Sequence, residues 1–224
     1  IQVRNVREPP QVFDATYTVA EYSPVGLSET TNGTIVGYIN ATDPDVEDSL
    51  VYELQGGTGV DVFEVDSDTG AILVKDPTVI SFEEVESFDL LITVSDGTFS
   101  TVALARIEVL DINDPVELFP ANFSIAENPF LNALVGDPLF ALDPDIGQTI
   151  TFSIVGGNSE DAFAINLCSG QLRVDNPSAV DYEEYEVFDL VIRAEDDGFP
   201  MTYDEAIVRV TILDVDDPPR FDLD

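Results

Sequence analysis

The sequence predicts an all-β fold, and three observations support this prediction. Short runs in which apolar residues alternate with polar ones recur along the chain, and no segment shows a helical period. Turn motifs such as "DSDTG" and "GGTG" separate these runs at intervals of about ten residues. Most segments of the first half return in the second half. Together these features predict two tandem Greek-key, immunoglobulin-like, seven-stranded β-sandwiches in an elongated arrangement.

The duplication indicates the domain organisation. The segment "ATDPD" at 41–45 returns as "ALDPD" at 141–145, 100 positions later. The segment "VFEVDSDTGAILV" at 62–74 returns as "AFAINLCSGQLRV" at 162–174, again 100 positions later. Two domains agree with a length of 224 residues and an apolar content of 44%. The predicted boundaries are 1–10 for the end of a preceding repeat and its linker, 11–112 for a first repeat, 113–118 for a linker, 119–215 for a second repeat and 216–224 for the start of a further linker.

The strands with the clearest alternation lie late in each copy. In "FDLLITV" at 88–94, every second residue is apolar, as expected for a strand with one buried face. The run that follows it repeats the pattern. The predicted core residues of these strands are Phe88, Leu90, Ile92, Val94, Ala105, Ile107 and Val109, with Phe188, Leu190, Ile192, Ala194, Val208, Val210 and Ile212 as second-copy counterparts.

The charge balance is the most unusual feature of the composition. The chain has 45 Asp and Glu residues against 8 Lys and Arg residues, which gives a formal net charge of −37. Such a chain repels nucleic acid and anionic lipid and attracts cations. No apolar run reaches about 18 residues, so no membrane-spanning segment is expected, and no signal peptide is visible. We expect the chain to be an internal fragment of a longer protein.

Two further features concern side-chain modification. The single cysteine, Cys168, cannot form an internal disulfide, and we expect it to pack in a small apolar slot. Three N-x-S/T sequons, at Asn32, Asn40 and Asn122, would permit glycosylation and so predict a glycoprotein.

Acidic residues recur at matching places in the two copies, at the ends of loops. One by one they could be solvated turn residues, because "DPD" and "DG" are ordinary turn sequences. Clustered carboxylates repel one another unless a cation or a proton neutralises them, so the joint recurrence favours a metal site. The chain has no histidine and one cysteine, which disfavours zinc and copper and leaves Ca²⁺. The matching pairs are Glu21 and Glu127, Asp43 and Asp143, Asp45 and Asp145, Glu83 and Glu183, Asp96 and Asp196, and Asp111 and Asp214.

These motifs resemble those of tandem cadherin repeats, and the resemblance covers essentially the whole chain. The first copy reads "AEY" with Glu21, "DPD" at 43–45, "ISFE" with Glu83 and "VSD" with Asp96, followed by the linker "DINDP". The second copy reads "AEN", "DPD", "VDYE" and "AEDDG" in the same order, followed by "DVDDP". Each motif is short, but five motifs in order, twice, form a specific signal. The resemblance implies three Ca²⁺ ions clustered at each junction between repeats.

The resemblance also implies which residues bind these ions. At the complete junction, the implied ligands are Glu21, Glu83, Asp111, Asn113 and Asp114, the backbone carbonyls of Ile112 and Pro115, and the second-copy residues Asp143, Asp145 and Asp196. The implied half-sites at the two ends are Asp43, Asp45 and Asp96 on the amino-terminal side and Glu127, Asp181, Glu183, Asp214, Asp216 and Asp217 on the carboxyl-terminal side.

Two departures from the family pattern predict uneven calcium binding. Ser81 stands where the second copy has Asp181, so the outermost ion at the central junction should be weaker or absent. Upstream of the first repeat, Arg7 stands where the family's linker has a neutral asparagine. We expect its positive charge near Asp43, Asp45 and Asp96 to substitute for an ion, which predicts a calcium-poor upstream junction.

The resemblance implies a calcium-dependent extracellular adhesion module, with bound Ca²⁺ stiffening a rod-like ectodomain of a single-pass plasma-membrane protein. The implied partners are neighbouring repeats and other cadherin-type ectodomains, homophilic or heterophilic, with no nucleic acid and no direct membrane contact. One alternative is a spacer or carbohydrate-binding module of a larger surface protein, for which Tyr17, Tyr22 and Tyr38 are candidate platform residues. A glycosidase with paired carboxylates is disfavoured, because an active site is normally built once and these acids recur. We expect no enzymatic activity.

Overall fold

The computed structural model describes residues 6–23, 26–45 and 48–216, and the chain divides into two compact units, Ile1–Ile112 and Asn113–Asp224. In both units the regular structure is β-strand, apart from three single turns of 3₁₀-helix among the described residues, at Pro77–Val79, Ser159–Asp161 and Pro177–Ala179. The predicted all-β fold with two β-sandwiches is therefore confirmed.

The first unit contains seven strands in two main sheets and a short additional pair. One sheet has the order β2-β9-β8-β5, the other has the order β3-β7-β6, and β1 pairs with β4. The strands are β1 (Gln11–Val12), β2 (Ala15–Ala20), β3 (Ile35–Tyr38), β4 (Ala41–Thr42), β5 (Val51–Gly57), β6 (Phe63–Val65), β7 (Ala71–Val74), β8 (Ser87–Ser95) and β9 (Ser100–Leu110).

The second unit repeats this topology strand for strand. Its sheets have the orders β11-β18-β17-β14 and β12-β16-β15, and β10 pairs with β13. The strands are β10 (Glu117–Leu118), β11 (Ala121–Ala126), β12 (Leu134–Val135), β13 (Ala141–Leu142), β14 (Thr151–Gly156), β15 (Phe163–Ile165), β16 (Leu172–Val174), β17 (Val187–Glu195) and β18 (Tyr203–Leu213).

The core of each unit lies between its two main sheets. All fourteen residues predicted to face the core are buried in the structure. Aromatic rings pack between the sheets at matching places. The ring centroids of Phe63 and Phe88 lie 5.5 Å apart in an edge-to-face arrangement in the first unit, and those of Phe163 and Phe188 lie 5.1 Å apart in the second. Burial of these alternating apolar faces provides the main driving force for folding each unit.

The chain enters and leaves each unit at opposite ends of its longest strand. In the first unit, the Thr101 hydroxyl, near the start of β9, donates to the Pro10 carbonyl at 2.7 Å. The N–H of Glu21 donates to the Leu110 carbonyl, at the end of β9. Between these points β2 pairs in parallel with β9, and β11 pairs in parallel with β18 in the second unit. Each unit therefore has an upstream end and a downstream end.

A glycine follows an irregularity in the edge strand of each four-stranded sheet. The register between β5 and β8 shifts between Leu54 and Gly56, and Gly57 then has φ +113°. A Cβ at Gly57 would lie 2.0 Å from the Asp89 carbonyl oxygen. Gly157 has φ +74° and the same close approach to the Asp189 carbonyl. Only glycine adopts this conformation at such short range without displacing the backbone.

The predicted packing of Cys168 is wrong. Its thiol is exposed, because the residue lies in the turn between β15 and β16. Asn166 Oδ1 holds this turn by accepting hydrogen bonds from the N–H groups of Cys168 and Ser169, each at 3.0 Å. The three sequon asparagines are also exposed. Within the described ranges, the structure contains no helix long and apolar enough to cross a membrane.

Candidate metal centres

Each unit has an acidic group at its downstream end. The downstream groups are Glu21, Glu83 and Asp111 in the first unit and Glu127, Asp181 and Glu183 in the second. In each group, one carboxylate oxygen per residue lies within 4.8 Å of the others. Three negative charges at this separation repel one another, so each group favours a cation.

A buried glutamate organises each downstream group. Glu21, only 1% exposed, accepts hydrogen bonds from the N–H of Ile112 at 2.6 Å and from the N–H of Phe82 at 2.9 Å. Its two oxygens thereby fix the start of the linker and the segment that carries Glu83. The sequence comparison suggested a ligand here but did not reveal this backbone clamp, whose partners lie 61 and 91 positions away.

The second unit contains the same clamp. Glu127 accepts from the N–H of Val215 at 2.7 Å and from the N–H of Tyr182 at 3.1 Å. These two hydrogen bonds hold the pKa of Glu127 below its ordinary value, although burial acts in the opposite direction. The two hydrogen bonds therefore favour the charged form of Glu127, although the nearby negative charge of Asp181 favours its protonation.

The two downstream groups differ at the position of Ser81 and Asp181. In the first unit, the Ser81 hydroxyl donates to Glu83 Oε2 at 3.0 Å, whereas the second unit places the Asp181 carboxylate there. A hydrogen bond from its own N–H lowers the pKa of Glu183. The hydrogen bond with Asp181, burial and the charges of Glu127 and Asp181 outweigh this effect, and the pKa of Glu183 is raised. The raised pKa of Glu183 reflects its burial and its proximity to the carboxylates of Glu127 and Asp181.

A second set of acids lies at the upstream end of each unit, beside the turn between the last two strands. The upstream group consists of Asp43, Asp45, Asp48 and Asp96 in the first unit and of Asp143, Asp145 and Asp196 in the second. In both "DPD" loops the second aspartate donates its N–H to the first, at 2.8 Å from Asp45 to Asp43 and at 3.0 Å from Asp145 to Asp143. This Asx turn follows from the sequence and fixes the spacing of the two carboxylates.

Buried oxygen atoms in the upstream groups fit a hard cation. Asp43 Oδ2, Asp96 Oδ2 and Asp143 Oδ2 are buried and make no hydrogen bond among the described residues. Burial raises the pKa of Asp143, and the charges of Asp196 and Asp197 raise it further. Buried carboxylate oxygens without donors are costly, and Ca²⁺ binds such oxygens in flexible geometry. The donor set therefore fits Ca²⁺.

The linker residues contact the upstream group of the second unit. Asn113 is buried and donates from Nδ2 to Asp196 Oδ2 at 3.1 Å and to the Pro200 carbonyl at 2.9 Å. The N–H of Asp114 donates to Asp145 Oδ2 at 2.7 Å. Burial raises the pKa of Asp196, but hydrogen bonds from Thr202, Asn113 and Gly198 outweigh it, and the pKa is lowered.

The remaining predicted ligands are the backbone carbonyls of the linker and the acids that follow β18. Ile112 and Pro115 are half-buried linker residues, and Asp214 and Asp216 are exposed residues that follow β18. The three-residue downstream group of the second unit does not include Asp214, although its counterpart Asp111 belongs to the first. Asp217 lies outside the described residues.

Arg7 reaches the upstream group of the first unit, but through a residue that the sequence comparison missed. Its Nη1 lies 3.7 Å from Asp48 Oδ2 and donates to Thr98 Oγ1 at 2.6 Å. Hydrogen bonds from Phe99 and Thr98 hold the pKa of Asp96 below its ordinary value, and the charge of Arg7 contributes in the same direction. Arg7 therefore forms an ion pair with Asp48, an acid that the repeated motifs did not include. The repeat offset of 100 gave no signal for Asp48, because it pairs this residue with the neutral Gln148.

The three tyrosines suggested as a carbohydrate platform differ in how far they are exposed to solvent. Tyr17 packs against the core and donates its hydroxyl to the Tyr38 carbonyl at 2.8 Å. Tyr22 is half-buried, and only Tyr38, at 56% exposure, presents most of its ring. A single exposed ring offers little area for stacking a sugar.

The fold and the acids define a class, that of tandem seven-stranded β-sandwich repeats with an acidic group at each end. A sequence-family model described as "Cadherin domain" matches residues 122–213. Protocadherin Fat 1 of Homo sapiens is 31% identical to the chain over 100% of its length, and the Fat-like cadherin-related tumor suppressor homolog of Drosophila melanogaster is 32% identical over 85%. The chain belongs to the cadherin family.

Solved structures agree on the fold. The crystal structure of human protocadherin-24 EC1-2, form II, matches 94% of this chain and 100% of its own with a TM-score of 0.71 and 20% identity. That of mouse cadherin-23 EC22-24 matches 92% of this chain and 67% of its own, with a TM-score of 0.68 and 22% identity. The chain spans only 5% of the length of human protocadherin Fat 1 and 4% of the Drosophila relative.

Proposed function

We propose that the chain is a calcium-binding segment of an extracellular adhesion protein, in which bound Ca²⁺ stiffens the junction between repeats. The observation that supports this proposal most directly is the set of buried carboxylate oxygens of Asp43, Asp96 and Asp143, which have no hydrogen-bond partner in the described part of the chain. Membership of the cadherin family supports the adhesive role. Affinities of extracellular calcium modules, about 10⁻⁴–10⁻³ M, would keep such sites loaded outside cells.

The proposed ligands of the central junction are the downstream group of the first unit, the linker and the upstream group of the second. They are Glu21, Glu83, Asp111, Ile112, Asn113, Asp114, Pro115, Asp143, Asp145 and Asp196. The seven carboxylates among them carry a formal charge of −7, which three Ca²⁺ ions would nearly balance. The proposed half-sites use the matching acids at the two ends of the chain. We propose that the protein acts outside the cell, with other cadherin-type ectodomains as partners, and performs no catalysis.

A calcium titration tests the proposal. We expect Ca²⁺ to raise the melting temperature of the full chain, and Mg²⁺ to do so much less, because Mg²⁺ demands regular octahedral geometry and dehydrates reluctantly. Asp143→Asn should weaken the calcium response. Asp137→Asn, which removes an exposed carboxylate of the same unit, should leave the response unchanged and serves as the control.

A melting temperature that is the same in chelator and in millimolar calcium would contradict the proposal. So would an equal loss of calcium response in the Asp143→Asn and Asp137→Asn variants, because the response would then follow net charge rather than the buried site.

A further inference from the structure

We propose that Arg7 is a built-in cation for the upstream group of the first unit, so that this group binds a divalent cation more weakly than its counterpart in the second unit does. The inference deepens the proposed function and rests on it, because it concerns the cation demand of one of the proposed calcium sites. It predicts that the two upstream groups, although they match in sequence position, differ in their affinity for a divalent cation.

The two upstream groups are structurally equivalent, which makes the comparison direct. The N–H of Glu8 donates to Asp45 Oδ2 at 2.9 Å, as the N–H of Asp114 donates to Asp145 Oδ2 at 2.7 Å. The residue before each donor is Arg7 in the first unit and Asn113 in the second. A cationic side chain therefore occupies the place of a neutral amide.

The contacts of Arg7 lead to two acids of the group. Its guanidinium lies 3.7 Å from Asp48 Oδ2 and donates to Thr98 Oγ1. Thr98 in turn donates its N–H to Asp96 Oδ1, and Arg7 interacts electrostatically with Asp96 itself. One positive charge thus offsets part of the repulsion among four carboxylates.

The second unit has amides at the matching positions. Asn113 donates to Asp196 at 3.1 Å, and Gln148, the counterpart of Asp48, donates from Nε2 to Asn113 Oδ1 at 2.5 Å. Amides orient the carboxylates without neutralising them, so these two positions add no positive charge to the group.

The first group nevertheless retains the features of a cation site. Asp96 is only 8% exposed, and its Oδ2 makes no hydrogen bond among the described residues, which is also true of the buried Asp43 Oδ2. The Arg7 side chain is 57% exposed, so its charge lies at the rim of the group rather than among these buried oxygens. Removal of the arginine charge should therefore strengthen calcium binding rather than abolish it.

The test uses the full chain with Arg7→Gln, which removes the charge and keeps an amide donor toward Thr98. Hydrogen exchange of peptides that cover 41–50 and 95–100 is followed against Ca²⁺ concentration. We expect the calcium midpoint of these peptides to fall about tenfold, the order expected when one unit charge no longer repels a divalent ion across a solvated distance. In chelator, the variant should melt at a lower temperature than the wild type. Saturating Ca²⁺ should remove this difference in melting temperature.

Two matched variants isolate the charge of Arg7. Arg106→Gln makes the same change in net charge but removes a surface ion pair with Asp89, so it should leave the midpoint of these peptides unchanged. Arg7→Lys keeps the charge and should behave like the wild type. If the lysine variant behaves like the glutamine variant, charge is not the cause and the inference is overturned.

The outcomes also separate this inference from the proposed function. If second-unit peptides respond to calcium while Arg7→Gln leaves the first-unit midpoint unchanged, the inference fails and the proposed function stands. If no peptide of the wild type responds to calcium, the proposed function fails. In that case, the melting temperatures in chelator still test the role of Arg7. A larger decrease for Arg7→Gln than for Arg106→Gln supports Arg7 as the cation of the upstream group, and equal decreases overturn the inference.

Discussion

Glu21 joins two segments that are distant in sequence through one buried carboxylate. Both of its oxygens accept backbone hydrogen bonds, from Ile112 and Phe82, and the matching Glu127 does the same in the second unit. The residue therefore serves the structure of its own unit in addition to its proposed role as a calcium ligand. Its burial makes each of these hydrogen bonds costly to lose.

Glu21→Gln should destabilise the first unit even without calcium. The amide can accept one backbone hydrogen bond, but its NH₂ group faces the other N–H donor, and we expect a loss of about 1–3 kcal/mol in the free energy of unfolding. Urea denaturation in chelator measures the effect. Glu29→Gln, at an exposed glutamate of the same unit, is the control. Equal stabilities of the two variants would show that the clamp contributes nothing.

The candidate site was predictable where its residues recur and was hidden where they act through the backbone. The offset of 100 brought out Asp43, Asp45 and Asp96 with their counterparts. It did not show the clamp of Glu21, because backbone N–H donors leave no trace in residue identity. Asp48 was missed because its counterpart is the neutral Gln148, so the pair did not register as a repeated acid.

At the scale of elements, a glycine whose conformation excludes a side chain ends the edge strand β5, and another directly follows the edge strand β14. Gly57 approaches the Asp89 carbonyl of the neighbouring strand β8, and Gly157 approaches Asp189 of β17 in the same way. The preceding residue, Gly56, has open space around the place where a Cβ would stand. The structure therefore requires glycine at position 57 but leaves room for a side chain at position 56.

Gly57→Ala should destabilise the chain by at least about 2 kcal/mol, because positive φ and contact with a backbone oxygen both oppose a Cβ. Gly56→Ala should change the free energy of unfolding by less than about 1 kcal/mol. Chemical denaturation of both variants in calcium provides the comparison. A Gly56→Ala variant that is as unstable as Gly57→Ala would contradict the assignment.

The sequence predicts elements only where they are long enough to show a period. Strands β8, β9, β17 and β18 have nine or eleven residues, and their alternation marked the core correctly. The two-residue strands β1, β4, β10, β12 and β13 are too short to alternate, and their pairing depends on tertiary contacts. The 3₁₀ turn at Pro77–Val79 was also missed, since its signal is the single cap in which Asp76 Oδ1 accepts from the N–H of Thr78.

At the scale of the whole molecule, the net charge of −37 opposes the compact state. Ion pairs offset little of this repulsion, because most of those among the described residues are surface pairs with substantial exposure. The stability of the chain should therefore depend on the ions in solution.

Raising NaCl from about 0.02 M to about 0.5 M should increase the melting temperature in chelator, because the Debye length falls and repulsion among the carboxylates is screened. In saturating Ca²⁺ the increase should be smaller, since the acidic groups are then already neutralised. Differential scanning calorimetry under the four conditions measures both effects. A melting temperature in chelator that does not rise with salt would show that repulsion is not a major term.

The parallel pairing of β2 with β9, and of β11 with β18, has a mechanical consequence. Because the chain enters and leaves each unit at opposite ends of the longest strand, tension on the backbone slides the paired strands past each other. Six successive residue pairs in each ladder then carry the load together instead of opening one at a time. Each repeat is thereby suited to resist a pull along the direction of its longest strand.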